Sequence, residues 1–286
     1  MKLKSYVTRT IPDEIYLKYE FRKYLGYKLD LKQPKTFNQK LQWLKLHDRN
    51  PNYTIMVDKY SVKKYVASII GEEYIIPTLG VWDHFDDIDF SKLPKQFVLK
   101  CTHDSGGLVI VKDSSKLDRL AAKEKIESCL KTNYYWSGRE WPYKNVKPKI
   151  IAEKYMADKY DRELKDYKIH CFNGIPKLIL VCSDRYSEHG LCEDFYTEER
   201  DHLSVKRVEH PNSKMCIDKP TSLEQMKNLA KKLSKDLPFV RTDFYDINGS
   251  VFFGEMTFYP ASGFSGYDPM QWDYILGEWL DLSKLV

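Results

Sequence analysis

Two carboxylates and an arginine stand among apolar residues in "VRTDFYDINGSVFFGEMTFYPASG", Val240 to Gly263: Arg241, Asp243 and Glu255, with Phe244, Val251, Phe252, Phe253 and Met256 around them. An unpaired carboxylate in an apolar setting costs several kcal/mol or takes up a proton. A positive group is therefore expected beside both acids. Asn248-Gly249 between two strand-like runs marks a hairpin turn, and its loop length decides which side chains share a face. A two-residue loop puts Asp243 and Glu255 on opposite faces. A three-residue loop, Ile247 to Gly249, sets Arg241 across from Glu255, with Asp243 one diagonal step away at roughly 7–8 Å between backbones. Two carboxylates so placed can converge on a divalent cation, and Mg²⁺ suits them because it prefers oxygen ligands and a substrate phosphate. The plainer reading is an Arg241–Glu255 cross-strand pair with Asp243 solvated.

Phosphate chemistry is suggested further upstream. "FVLKCTHDSGGLVIVKD" is a strand carrying Lys100, a small polar loop with Gly106 and Gly107, and a second strand. Loop amides can approach phosphate oxygens closely while Lys100 supplies a point charge. The GxxxxGK[ST] phosphate-loop pattern is absent, and a hairpin with a surface lysine explains the segment equally well. Joined to a two-carboxylate site, a phosphate cradle is how a nucleoside triphosphate is held. Glu153, in "KIIAEKYM", follows an apolar strand at a hinge that suits an adenine edge or a solvated Glu-Lys turn.

The elements that must position these groups are readable. Thr36 and Gln39 form a capping box ahead of a helix striped by Phe37, Leu41 and Leu44. "VDKYSVKKYVASIIG" forms another, with Val62, Val66 and Ile69 on one face and Gly71 as its stop. From about residue 74 strands dominate, interrupted by the helical "SSKLDRLAAKEKIESCL". A first hairpin turns at Asn173-Gly174, and "TSLEQMKNLAKKLSKDL" forms a helix before the second hairpin. "DPMQWDYILGEWLDLSKL" closes the chain, with Asp268 as N-cap and Pro269 at the first helical position. The expected organisation is α+β: a helical region at 1–75, a central lobe at 76–150 and a C-terminal lobe at 151–286.

Composition narrows the function classes. At 286 residues, 42% hydrophobic and 14% aromatic, the chain can build a sizeable core and is not disordered. Its longest apolar run, "IPKLILVC", falls well short of the ~20 residues of a membrane helix, and "MKLKSYVTRTIPDE" has no signal-peptide core. A cytoplasmic protein is expected. The six cysteines show no CxxC and no finger-like His partner, so they read as reduced packing residues without structural zinc. Residues 1–70 carry fifteen Lys/Arg against six Asp/Glu. That is either a solvated helical surface or a face for an anionic polymer or for lipid headgroups at the inner membrane surface. No nucleic-acid signature is present.

The ordered segments "TFNQKLQWLKLHDRNP", "VDKY", "GEEYIIPTLGVWDHFDDIDFSKLPKQFVLKCTHDSGG", "EKYM", "LKDYKIHCFNG" and "RTDFYDINGSVFFGEMTFYPASG" resemble the TupA-like ATP-grasp family of capsule and teichuronopeptide polysaccharide biosynthesis, over about residues 35 to 265. The resemblance implies an ATP-grasp fold, in which two α+β lobes clasp ATP, with Mg²⁺, and an ADP-producing ligase that joins a carboxylate to an amine through an acyl phosphate. It assigns Lys100 to phosphate, His103, Ser105, Gly106 and Gly107 to the covering loop, and Glu153, Lys154, Tyr155 and Met156 to the adenine hinge. It makes Asp243 and Glu255 the metal acids and sets Arg241 near the transferring phosphate. Lys59 and Lys168 match lysines that reach phosphate, and Asp166 matches a ribose contact. Thr257 stands where the more distant D-alanine:D-alanine ligases have an Asn metal ligand. His103 and His170 are candidates by type for the base that deprotonates the amine. The family's setting suggests a uronic-acid carboxylate, on a polysaccharide or a lipid-linked precursor, joined to an amino acid or acidic peptide. Two other classes stay open: a glycosyltransferase using Asp87-Ile88-Asp89 as a metal-nucleotide triplet, and a non-catalytic ATP-binding protein.

Overall fold

The computed structural model describes residues 9–104, 106–158, 164–184, 190–215 and 217–285. In chain order its main elements are α1 (Asp13–Leu25), α2 (Phe37–His47), α3 (Asn52–Val57), α4 (Ser61–Ile70), β1 (Thr78–Trp82), β2 (Phe97–Cys101), β3 (Leu108–Val111), α5 (Arg119–Leu130) and β4 (Ile150–Lys154). There follow β5 (Asp166–Phe172), β6 (Ile175–Ser183), β7 (Cys192–Tyr196), β8 (Lys206–Arg207), α6 (Leu223–Leu233), β9 (Phe239–Ile247), β10 (Ser250–Thr257), β11 (Tyr267–Asp268) and α7 (Gln271–Trp279). The chain divides into two compact units, Asn50–Ala157 on the one hand and Met1–Arg49 with Asp158–Val286 on the other. This differs from the expected boundaries. β4 pairs with both β1 and β2, and α3 and α4 fall in the same unit as that sheet rather than with α1 and α2.

The smaller unit carries an antiparallel sheet in the order β1-β4-β2-β3. Alternation along β2 sends Phe97, Leu99 and Cys101 into a core with Ile126 of α5, Ile150 and Ala152. Lys100 projects from the opposite face, where β4 sets Glu153 beside Val98. In α4 the buried stripe is Val62, Val66 and Ile70. Ile69 is only half-buried, and Ile70, four residues beyond Val66 on the same broad face, takes the buried place.

The larger unit carries the antiparallel sheet β10-β9-β5-β6-β7. The buried face of α6 (Leu223, Met226, Leu229, Ala230, Leu233) covers the side of the sheet that bears Cys171 and Thr242. Parity therefore puts Asp166, Lys168, His170, Arg241 and Asp243 together on the other side. The apolar end of that side, Phe172 and Phe239, stacks against Phe37 of α2 and Trp279 of α7. The capping box on Thr36 forms as expected. One residue beyond Phe37, Asn38 binds the buried Asp273 carboxylate from its backbone at 2.9 Å and its side chain at 3.1 Å, and Tyr27 adds a bond at 2.9 Å. The closing helix starts later than expected, at Gln271. Asp268 is drawn instead into a short ladder opposite Lys206, which leaves it extended and unable to cap.

The second hairpin takes the shorter of the two expected loops, yet does not separate the acids as that loop implied. The turn has two residues, Asn248 and Gly249, both at positive φ (53° and 81°), and Ile247 faces Ser250. Continued unbroken, that register would separate Asp243 from Glu255. A bulge at Gly254 slips it by one residue, so that Glu255 lies directly across from Asp243 and Thr257 across from Arg241. A Cβ on Gly254 would stand 3.1 Å from the Asp243 carbonyl oxygen and 3.2 Å from the Tyr245 ring. Gly254→Val is therefore expected to destabilise the protein by about 1–3 kcal/mol. The measurement is the urea midpoint, and an unchanged midpoint would show that the bulge accepts a side chain.

Candidate active site

On the polar face of the larger sheet one guanidinium gathers the acids. Arg241 Nε donates to Asp243 Oδ1 at 2.7 Å, and its Nη2 donates to Asp243 Oδ2 at 2.7 Å, Glu255 Oε1 at 2.9 Å and Thr257 Oγ1 at 3.0 Å. Lys168, across from Asp243 on β5, forms a short ion pair with the same carboxylate and lies 3.5 Å from Asp166. Asp243 is only 2% exposed, whereas the Glu255 side chain is 43% exposed. Burial alone would lower the pKa of Arg241 and of Lys168, yet their carboxylate neighbours hold both above their ordinary values. Tyr245 is pushed far above its ordinary range by Asp166 first and by burial second, so its phenol stays protonated.

The three oxygens around Nη2 are those of the residues expected to hold metal. One nitrogen reaches all three, so a single small cation in its place would too, once Arg241 withdraws. Two carboxylates and a hydroxyl are hard oxygen donors, and the donor set fits Mg²⁺.

His170 lies on this face as well, fully buried, and neither ring nitrogen has a hydrogen-bond partner among the described residues. Burial, then the charges of Arg241 and Arg207, push its pKa well below the ordinary value. It is a neutral imidazole with little basicity. His103 is equally unsuited to a mobile role, since it is 2% exposed and its Nε2 lies 3.2 and 3.0 Å from the carbonyls of Cys129 and Thr132. Both histidines expected as candidate bases are thus held inside the protein.

In the smaller unit the counterpart is Glu153. It is not a solvated turn residue: it sits in β4, 5% exposed, with Oε2 at 2.6 Å from Lys100 and Oε1 at 2.5 Å from Lys63. Burial alone would raise its pKa, but Lys100 and Lys63 hold it below the ordinary value. Lys154 ends the strand with its N–H on the Pro77 carbonyl, and Tyr155 and Met156 follow half-buried. Lys59 donates from its backbone to Thr102 at 3.0 Å and from its side chain to the Asp104 carbonyl, which makes it a clamp on the glycine loop. Gly106 is exposed, Gly107 is buried against Cys101, and Ser105 lies outside the described residues.

Sequence reasoning missed Lys63. It is one lysine in "SVKKYV", and nothing in that string separates it from Lys64, which points to solvent. Arg207 was missed too; it lies over the Tyr267 ring and 3.3 Å from Glu193, on a two-residue strand too short to show a period. The Asp87-Ile88-Asp89 triplet does not converge. Ile88 turns into the core, both acids are exposed, and Asp89 caps a short helical turn by accepting from Ser91 at 3.1 Å.

The profile of the TupA-like ATPgrasp family matches residues 39–281. The chain belongs to that family. No curated protein sequence matches it. Among solved structures, this ATP-grasp chain is similar to D-alanine-D-alanine ligase from Helicobacter pylori, at 19% identity over 79% of this chain and 60% of the other, with TM-score 0.42. It is similar also to the ATP-grasp ligase PsnB complexed with minimal precursor (9% identity, 73% and 55% covered, TM-score 0.43). A third is the RimK domain protein ATP-grasp from Sphaerobacter thermophilus (10%, 80% and 69%, TM-score 0.41). The chain thus spans 60% of the length of the first of these and 55% of the second.

Replacing Glu153 with Gln strands two half-buried lysines, and is expected to cost about 3 kcal/mol at neutral pH. Because the folded-state carboxyl lies below its ordinary 4.5, its contribution is complete above that pH and fades as pH falls through the folded value. Urea unfolding of both proteins from pH 7 down to pH 3 checks this, and a gap that stays constant in acid would contradict it.

Proposed function

We propose that this ATP-grasp protein is an ATP-dependent, ADP-producing carboxylate–amine ligase that works through an acyl phosphate. The observation that carries the reading is the opposite charge balance of its two charged clusters. Lys63 and Lys100 against Glu153 leave an excess positive charge, which suits a phosphate. Arg241 and Lys168 against Asp166, Asp243 and Glu255 leave an excess negative charge with three oxygens around one point, which suits a divalent cation. Membership of the family supports ATP as the nucleotide.

In this reading Lys100, with Lys63, binds phosphate oxygens, and the amides of Gly106 and Gly107 line the loop that covers them. Glu153 holds the two lysines extended, and Lys154, Tyr155 and Met156 border the adenine. Asp166 and Lys168 take the ribose and phosphate roles, and Asp243, Glu255 and Thr257 hold Mg²⁺. When bound, the ion neutralises charge on the β- and γ-phosphate oxygens. A substrate carboxylate oxygen attacks the γ-phosphorus and ADP leaves; the neutral amine nitrogen then attacks the acyl carbon, the C–O bond to phosphate breaks, and the departing phosphate takes up the nitrogen's proton. Arg241, freed from Asp243 and Glu255, stabilises the oxygens on which charge develops in both steps. We take the acceptor to be a uronic-acid carboxylate of a polysaccharide or its lipid-linked precursor, and the donor an amino acid or acidic peptide. The basic N-terminal region supports a polyanion only in part. Lys40 and Lys45 are turned inward onto carbonyls of Gly277, Leu280 and Ser262.

Two measurements test the reading. ADP release should require a carboxylate and an amine together, and should fall at least about 10²-fold in Asp243→Asn and in Glu255→Gln. Full activity in both variants, or ADP release indifferent to either substrate, would end it. Separately, Mn²⁺ binding without nucleotide, followed by electron paramagnetic resonance, should tighten in Arg241→Gln, whose neutral side chain no longer competes for the three oxygens, while turnover falls. Unchanged or weaker Mn²⁺ binding there would show that the oxygens are not the metal site.

A further inference from the structure

A second cluster of metal-ligating groups lies in the smaller unit, apart from Glu153 and its lysines. The Sγ atoms of Cys101 and Cys129 and a carboxylate oxygen of Asp104 lie within 4.8 Å of one another. Cys101 ends β2, Asp104 is in the loop that follows, and Cys129 is in the last turn of α5. We propose that these three side chains form a binding site for a thiophilic divalent cation, Zn²⁺ in the first instance.

Each of the three is anchored independently of any ion. Cys101 is held by the sheet, its N–H on the Gly107 carbonyl at 2.7 Å and its thiol directed at the Ile126 carbonyl at 3.6 Å. Asp104 is fixed through its carbonyl by Lys59 and through both carboxylate oxygens by the Gly107 N–H at 3.1 Å. Cys129 is placed by His103, whose Nε2 bonds to the carbonyls of Cys129 and Thr132. Gly107 closes one side of the cluster, since a Cβ there would stand 2.6 Å from Cys101 Sγ.

Tetrahedral coordination by two sulfurs and one oxygen needs ligand atoms about 3.5–4 Å apart. The cluster lies within that spacing plus about an ångström, a shift that side-chain rotation supplies. Two sulfurs select against Mg²⁺, which takes oxygen, and in favour of Zn²⁺. Binding releases one proton from each thiol, so affinity should climb with pH. Three protein ligands leave a fourth position for water. A bound ion would tie Asp104, just beyond the end of β2, to the end of α5. This site does not depend on the ligase reading, and its test reads metal binding alone.

Co²⁺ is the probe, titrated into the full-length, reduced, metal-stripped protein. One equivalent should produce the near-ultraviolet thiolate-to-cobalt charge-transfer band and the visible bands of tetrahedral Co²⁺, and Zn²⁺ should abolish both. Cys129→Ser and Cys101→Ser should each weaken binding by at least the roughly 10-fold that follows loss of even an outer-shell partner. Cys182→Ser, a buried thiol of the other unit, should leave the bands intact. Absence of thiolate bands in the wild-type protein would overturn the proposal, as would bands that persist at full strength in both Cys101→Ser and Cys129→Ser.

Discussion

Arg241 permits three carboxylates to share one face of a sheet. Asp166, Asp243 and Glu255 lie on adjoining strands, and Asp243 has almost no access to water. Without a cation among them, one or more would have to take up protons, as like charges in a poorly solvated site do. The guanidinium is planar and carries several donors, so it bonds Asp243 through two nitrogens while reaching Glu255 and Thr257 with one of them. A lysine in its place offers a single nitrogen, and Lys168 already fills that role from the neighbouring strand. The remaining architecture serves this arrangement. The β5–β9 register sets Lys168 across from Asp243, the Gly254 bulge brings Glu255 to the same side, and α6 buries the apolar reverse of the sheet.

The legible parts of the fold were those with strong local chemistry. Thr36–Gln39, Asn173-Gly174 and Asn248-Gly249 act within a few residues, and each does in the structure what its residue types require. Loop length alone does not set the hairpin register, because a bulge shifts it as well. An isolated glycine inside a strand-like run signals a bulge, and Gly254 in "VFFGEMT" was that signal. The shared face was anticipated, but the bulge produces it and the loop does not. Asp268 illustrates the opposite case: its capping chemistry was sound, but a tertiary ladder with Lys206 took the residue first.

The acids and the arginine could be singled out because charges in an apolar run demand an explanation. Lys63, Arg207 and the inward turn of His103 could not, because lysines on helices, arginines in loops and histidines near glycines are ordinary in solvated positions. Their burial is a property of what packs over them: β4 in the case of Lys63, the end of α5 in the case of His103. Cys101 and Cys129 are likewise separated by a strand, a loop and a helix, and no spacing rule connects them.

Buried ion clusters are weak evidence of stability, because well-packed apolar residues of similar volume hold a fold equally well or better. Each unit nonetheless keeps one: Glu153 between Lys63 and Lys100, and Asp166, Asp243 and the half-exposed Glu255 around Arg241 and Lys168. Neither cluster is neutral, and the two are unbalanced in opposite senses. A sheet that needed only to fold would have no use for either residual charge. Residual charges of opposite sign are useful to a protein whose ligands bring the balancing charges, an anion to the lysines and a cation to the acids. On the proposed reading, these pairings keep both sets of groups ionised for such ligands.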